Sequence, residues 1–142
     1  MNIPDHILSV LREYDMPKDS VYQHAQSKQY LVKHKALEQI ANNKQIVFDP
    51  PQILHLDAAK KECVMLITGK NQKEQHWSIG ESSPYNTKIN FPCSMAEARG
   101  KDRVILKFLN FKDDIKSESE NEVTQNDKQE VDTESLTYTP GN

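Results

Sequence analysis

The stretch over residues 92–111, PCSMAEARGKDRVILKFLNF, constrains this chain most. At about 100° per residue, Met95, Ala98, Ile105, Leu106 and Leu109 share one face. Arg99, Arg103 and Lys107 step along its flank every four residues. Pro92 suits a first turn, where its absent N–H costs nothing, and Ser94 with Glu97 has the spacing of a capping pair. Two residues resist this pattern. Asp102 falls inside the apolar face, where an unpaired carboxylate is costly; it is therefore expected to be a structural anchor, paired with Arg99, Arg103 or a loop donor. Gly100 sits mid-helix, at about 1 kcal/mol relative to Ala, and marks a close backbone contact.

The rest of the chain supplies what such a helix packs on. Ile7, Leu8, Val10 and Leu11 make a short amphipathic helix within residues 3–14, stopped by Pro17. Residues 15–27 read as a polar connector. A second helix is expected over residues 27–42, with Ser27 as N-cap and Tyr30, Leu37, Ile40 and Ala41 as its core stripe. The period then changes. Residues 46–48 are a short apolar run stopped by Asp49-Pro50-Pro51; residues 52–57, the apolar run CVMLIT over 63–68 and the alternating segment 74–80 predict a three-stranded antiparallel meander. In the last strand Trp77 is expected to pack beneath a helix, with Gln75 and Ile79 on its side and His76, Ser78 and Gly80 on the other. Residues 81–90 form a polar loop, long enough to be functional. The expected fold class is α+β, of αβββα type: residues 1–27 a short helix and connector, 28–111 the domain, 112–142 a disordered acidic tail.

Charge divides the chain the same way. Residues 112–142 hold nine acidic residues and three lysines, while the other 111 residues hold 15 Lys and Arg against 12 Asp and Glu. A mildly basic body with an acidic tail is compatible with nucleic-acid binding. No apolar run approaches the roughly 18 residues of a membrane helix. The first fifteen residues lack a basic start followed by a long apolar run, so no signal peptide is read and the cytoplasm is the expected location. Cys63 and Cys93, in a reducing compartment, read as small buried hydrophobes.

No catalytic or phosphate-cradling motif occurs, and no enzyme activity, cofactor or metal is expected. His6, His24, His34, His55 and His76 are dispersed. His55 and Asp57 share a strand face compatible with a metal, but ordinary surface residues explain them better; His34 reads as a packed, hydrogen-bonded histidine. Binding is the better prospect. The candidate nucleic-acid ligands are Arg99, Lys101, Arg103 and Lys107 on the helix, spanning about 12 Å from Arg99 to Lys107, together with Lys33, Lys35, Lys60 and Lys61. Lys70 and Lys73 lie at the far end of the middle strand. Tyr85, in the polar loop, is the stacking candidate.

The element order, with WSIGE, Asn86 and MAEARGKDRVILKFL, resembles small phage and plasmid proteins of the single-strand annealing superfamily, which includes the eukaryotic recombination mediator. The matching positions are Gly80, Glu81, Met95, Ala96, Glu97, Arg99, Asp102 and Arg103, and the resemblance spans roughly residues 28–111. It implies ATP-independent binding of single-stranded DNA, strand annealing and ring or filament homo-oligomers. Two alternatives stand beside it. One is a protein–protein module, such as a phage-encoded adaptor or inhibitor, whose acidic tail contacts a partner or shields its own basic face. The other is a double-stranded RNA-binding domain, which shares the αβββα order but wants lysines at the start of the last helix.

Overall fold

The computed structural model describes residues 3–86, 91–110 and 115–120; the expected disordered stretch over 121–142 and the end of the polar loop lie outside the described residues. Helix α1 (Asp5–Glu13) buries Ile7 and Leu11. The next segment is more than a connector: a short helical turn at Lys18–Ser20 leads into β1 (Val21–Gln23). Strand β2 (Tyr30–Val32) follows, then helix α2 (His34–Asn43). The helix expected from residue 27 thus begins at His34, because the aromatic and β-branched run Tyr30-Leu31-Val32 pairs with β1 instead. Ser27 caps no helix. Its hydroxyl accepts the Gln29 N–H at 3.2 Å, within the turn that joins the two strands.

The larger sheet is antiparallel. β3 (Val47–Phe48), β4 (Gln52–Asp57), β5 (Glu62–Lys70) and β6 (Gln75–Ser82) build it, all by pairing with β5. β3 and β4 lie on one side of β5 and β6 on the other: Gly69 faces both Phe48 and His76, and Met65 both Ile53 and Gly80. Pro50 and Pro51 separate β3 from β4, since neither can donate to the ladder. A register shift between Ile53 and His55 leaves Leu54 as an extra residue in β4.

Helix α3 (Pro92–Phe108) lies across β5 and β6. Its buried residues are Ala96, Arg99, Gly100, Asp102, Val104, Ile105 and Phe108. Of the five residues expected on its apolar face, only Ile105 is buried; Met95, Ala98, Leu106 and Leu109 are intermediate. The helix is rotated so that polar residues face inward, which requires partners for them. It also sits unusually close to the strand. A Cβ on Gly80 would lie 1.9 Å from the Ala96 carbonyl oxygen, and one on Gly100 would lie 2.4 Å from Ile67 Cγ1. The close contact expected at Gly100 is therefore real, and its counterpart is Gly80.

This crossing also decides which face of β6 turns inward. His76, Ser78, Gly80 and Ser82 face α3, with the His76 ring edge-on to Phe108 at 4.6 Å. Trp77 and Ile79 turn to the opposite face, and Trp77 is 57% exposed rather than packed beneath a helix. Small residues admit the helix, whereas an indole would hold it off.

The last described segment corrects the expected tail. β7 (Ile115–Ser117) joins β2 in parallel, making a second, three-stranded sheet in the order β1-β2-β7. Ile115, Ser117 and Ser119 are buried. Residues 115–120 are therefore a strap within the fold, not the start of a solvated extension.

Candidate functional site: the basic flank of α3 and the edge of β6

Arg99, Arg103 and Lys107 do lie along one side of α3, but that side faces the outer edge of β6. Arg99 donates to the Glu81 carbonyl at 3.0 Å, Arg103 to the Ile79 carbonyl at 2.6 Å and Lys107 to the Trp77 carbonyl at 2.5 Å. These are the alternate carbonyls that β6 turns away from β5. The match is geometric: four helical residues advance about 6 Å, and two strand residues about 6.6 Å. A helix running antiparallel to a strand at this distance can place one cation on every second carbonyl. An edge strand left bare would be a template for another chain; here it is sealed.

Each cation is further committed. Arg99 is 2% exposed. Its Nε donates to the Ser119 carbonyl at 2.9 Å, and its Nη atoms to Asn86 Oδ1 at 2.9 Å and the Asn86 carbonyl at 2.5 Å. Arg103 forms a two-bond fork with Glu120, at 2.5 and 2.7 Å, and a further ion pair with Glu81. These carboxylates, Glu120 foremost, hold its guanidinium charged well above the ordinary arginine range, outweighing partial burial. Neither arginine is the open phosphate contact expected of it. Lys107 differs: it is exposed, and its ammonium rests 5.1 Å from the centre of the Trp77 ring.

The remaining sequence candidates are scattered. Lys101 projects from another side of α3, where it pairs with Glu97 at 3.1 Å and lies 5.4 Å over the Phe48 ring. Lys33 and Lys35 are exposed at the start of α2, Lys33 being 3.9 Å from Asp19. Lys60 and Lys61 are exposed in the β4–β5 turn. Tyr85 is 89% exposed, in a turn where Asn86 Oδ1 accepts the Ser83 N–H at 2.9 Å.

Asp102 is the anchor that was expected, with other partners. Fully buried, it accepts from His34 Nδ1 at 2.8 Å, Ser117 Oγ at 2.6 Å and Ser119 Oγ at 3.2 Å. The hydrogen bond to Asp102 raises the His34 pKa to about 9, against the opposing pull of burial, with Glu38 adding to the rise. His34 is thus an imidazolium at neutral pH, packed and hydrogen-bonded as its sequence position suggested. Its backbone N–H, at the N-terminus of α2, donates to Glu118 Oε2 at 2.9 Å. A carboxylate there complements the helix dipole.

Sequence reasoning missed the strap as the source of these partners. Ser117 and Ser119 hold Asp102, Glu118 caps α2, the Ser119 carbonyl takes Arg99 and Glu120 takes Arg103. One signal was available: in IKSESE, Ile115, Ser117 and Ser119 alternate with Lys116, Glu118 and Glu120, a strand period in an otherwise acidic stretch.

Elsewhere, His55 pairs with Glu62 at 3.1 Å, and the Asp57 carboxylate accepts the Lys60 N–H at 3.0 Å. Among the described residues no group of three or more His, Cys, Asp or Glu is placed to hold a metal, and no helix is long and apolar enough to cross a membrane. No family model, curated protein or solved structure matches the chain.

Proposed function

We propose that this protein binds single-stranded DNA, and that it does so on the open face of the larger sheet rather than on the basic flank of α3. Thr68 faces Trp77 and Leu66 faces Ile79 across β5 and β6, on the side turned away from α3. Val64, Leu66, Trp77 and Ile79 stay outside the core cluster. Lys70 and Lys73 lie at the same end of the sheet as Trp77, and Lys107 reaches the indole from behind. The observation that carries the reading is the exposed Trp77 with an exposed ammonium, that of Lys107, beside it. A base stacks on the indole, and Lys107 exchanges its contact with the ring for a phosphate. Tyr85, beyond the other end of β6, offers a second platform. The bases supply π-faces of any sequence, so little sequence preference is expected.

Oligo(dT) titration of the full chain, followed through fluorescence of the single tryptophan, Trp77, tests this. Quenching is expected. By anisotropy of a labelled strand, Trp77→Ala weakens binding about 5- to 150-fold, the equivalent of about 1–3 kcal/mol per stacked base. With about three phosphate contacts, from Lys70, Lys73 and Lys107, log K falls against log salt with a slope of about −2. Absence of binding at low salt, or binding untouched by Trp77→Ala and Tyr85→Ala, refutes the proposal. Acceleration of complementary-strand pairing in the same buffer, without ATP, tests the annealing activity that the resemblance implies.

A further inference from the structure

The opposite edge of the same sheet is built in the contrary way. Among the described residues β4 pairs with β5 alone. Ile53, Leu54 and Leu56 are each more than half exposed along it. Cross-strand partners share a face, so Ile53 opposite Met65, and Leu56 opposite Cys63, lie on the helix side of the sheet. They remain exposed because α3 stands over β5 and β6 and leaves β4 overhanging.

We propose that this edge pairs with the same edge of a second copy, antiparallel, about a two-fold axis at Leu56. Three observations select that occupant and that register. First, head-to-tail growth of the sheet would need a second copy's β6, and that edge is closed by Arg99, Arg103 and Lys107. Within this sheet, among the described residues, that leaves self-pairing at the β4 edge, and it closes after two. Second, the part of β4 beyond the register shift, His55 to Asp57, is regular. Pairing centred on Leu56 sets His55 of each copy, already 3.1 Å from its own Glu62, opposite Asp57 of the other, so each imidazole gains a second carboxylate on the outer face. Third, the same register sets Leu56 against its own copy, apolar on apolar, in the gap beside each α3. The axis is perpendicular to the sheet, so both open faces lie on one side and the two Trp77 residues look the same way. The inference does not depend on what that face binds.

The test is the oligomeric state of the full chain with symmetric and charge-exchanged variants. Light scattering after gel filtration is expected to give a dimer. Leu56→Cys is expected to cross-link to its own copy with oxidised glutathione while the wild-type chain does not, because directly opposed Cα atoms about 4.5–5.5 Å apart fit disulfide geometry. His55→Asp and Asp57→His each raise the dimer dissociation constant at least tenfold, and His55→Asp combined with Asp57→His restores it to within threefold. Leu56 is exposed, so its variant retains the fold, which circular dichroism verifies. A monomer at about 100 μM, a larger ring or filament, or a dimer indifferent to both charge changes overturns the proposal. So does a monomer that dimerises only when residues 121–142 are removed, since the chain's own extension would then be the occupant.

Discussion

The two edges of the larger sheet meet solvent in opposite ways. On β6, three cations from one helix flank each take a backbone carbonyl, and the strap 115–120 supplies a further acceptor to two of them, the Ser119 carbonyl to Arg99 and the Glu120 carboxylate to Arg103. On β4, exposed Ile53, Leu54 and Leu56 border a strand with one partner among the described residues. A basic run on a helix therefore does not by itself identify a ligand surface. Arg99, Arg103 and Lys107 have the spacing of a phosphate rail and equally the spacing of alternate strand carbonyls, and burial distinguishes the two.

If the β6 edge is a structural seal, removing its most buried member has the largest effect. Arg99→Ala leaves the Glu81, Asn86 and Ser119 acceptors inside the fold without their donor. A loss of about 3–5 kcal/mol in urea unfolding is expected, at about 1–3 kcal/mol for each buried acceptor left unsatisfied. Ending the chain at Asn110 should be comparably damaging, because Asp102 loses both serines, whereas ending it at Glu120 leaves the midpoint nearly unchanged. Equal tolerance of both truncations would show that the strap holds nothing. Gly80→Ala comes next: its methyl meets the Ala96 carbonyl, and about 1–3 kcal/mol of overpacking is expected from thermal or urea denaturation.

The pH dependence is smaller and has a definite sign. His34 binds its proton more tightly when folded, so its contribution is complete below pH 6.5 and is lost as pH rises towards about 9. Unfolding midpoints between pH 6 and 9 should fall for the wild-type chain and stay flatter for His34→Gln. Burial pushes the Cys63 thiol up to about 12, with Cys93 adding to it, so the two slopes separate near pH 9. At the small end, Lys107→Ala costs at most about 1 kcal/mol, since its ammonium is exposed. Its effect belongs to binding, where the salt slope should shrink by about 0.7.

Much of the scaffold was legible in the chain. The mixed α+β class, the three helices and three of the four strands of the larger sheet follow from hydrophobic period and from Pro50, Pro51 and Pro92, whereas β3 stands in the sequence only as the short apolar run 46–48. The need for a partner at Asp102 and a close contact at Gly100 was legible too, because each violates a local preference strongly. What escaped was non-local. Hydropathy buries Trp77 and exposes Ser78, but the crossing of Gly80 with Gly100 reverses that choice. Tyr30-Leu31-Val32 reads as a helical turn until β1 and β7 flank it. The strap reads as solvated acid until Arg99, Arg103 and Asp102 are seen waiting for it. The partners of the site lie 13 to 84 residues away in sequence, as with Asn86 to Arg99 and Glu118 to His34. No local window contains both ends of those contacts.

Arg103→Met separates the two meanings of the basic flank in one variant. It keeps an unbranched apolar stem and removes the guanidinium charge that Glu81 and Glu120 share. Urea unfolding and oligo(dT) affinity are measured on the same preparation, below its unfolding transition. Stability should fall by about 2–3 kcal/mol while affinity stays within about threefold of the wild-type value, less than 1 kcal/mol. Unchanged stability with affinity lost by tenfold or more would make Arg103 a phosphate ligand, and the sealed edge would not be its role.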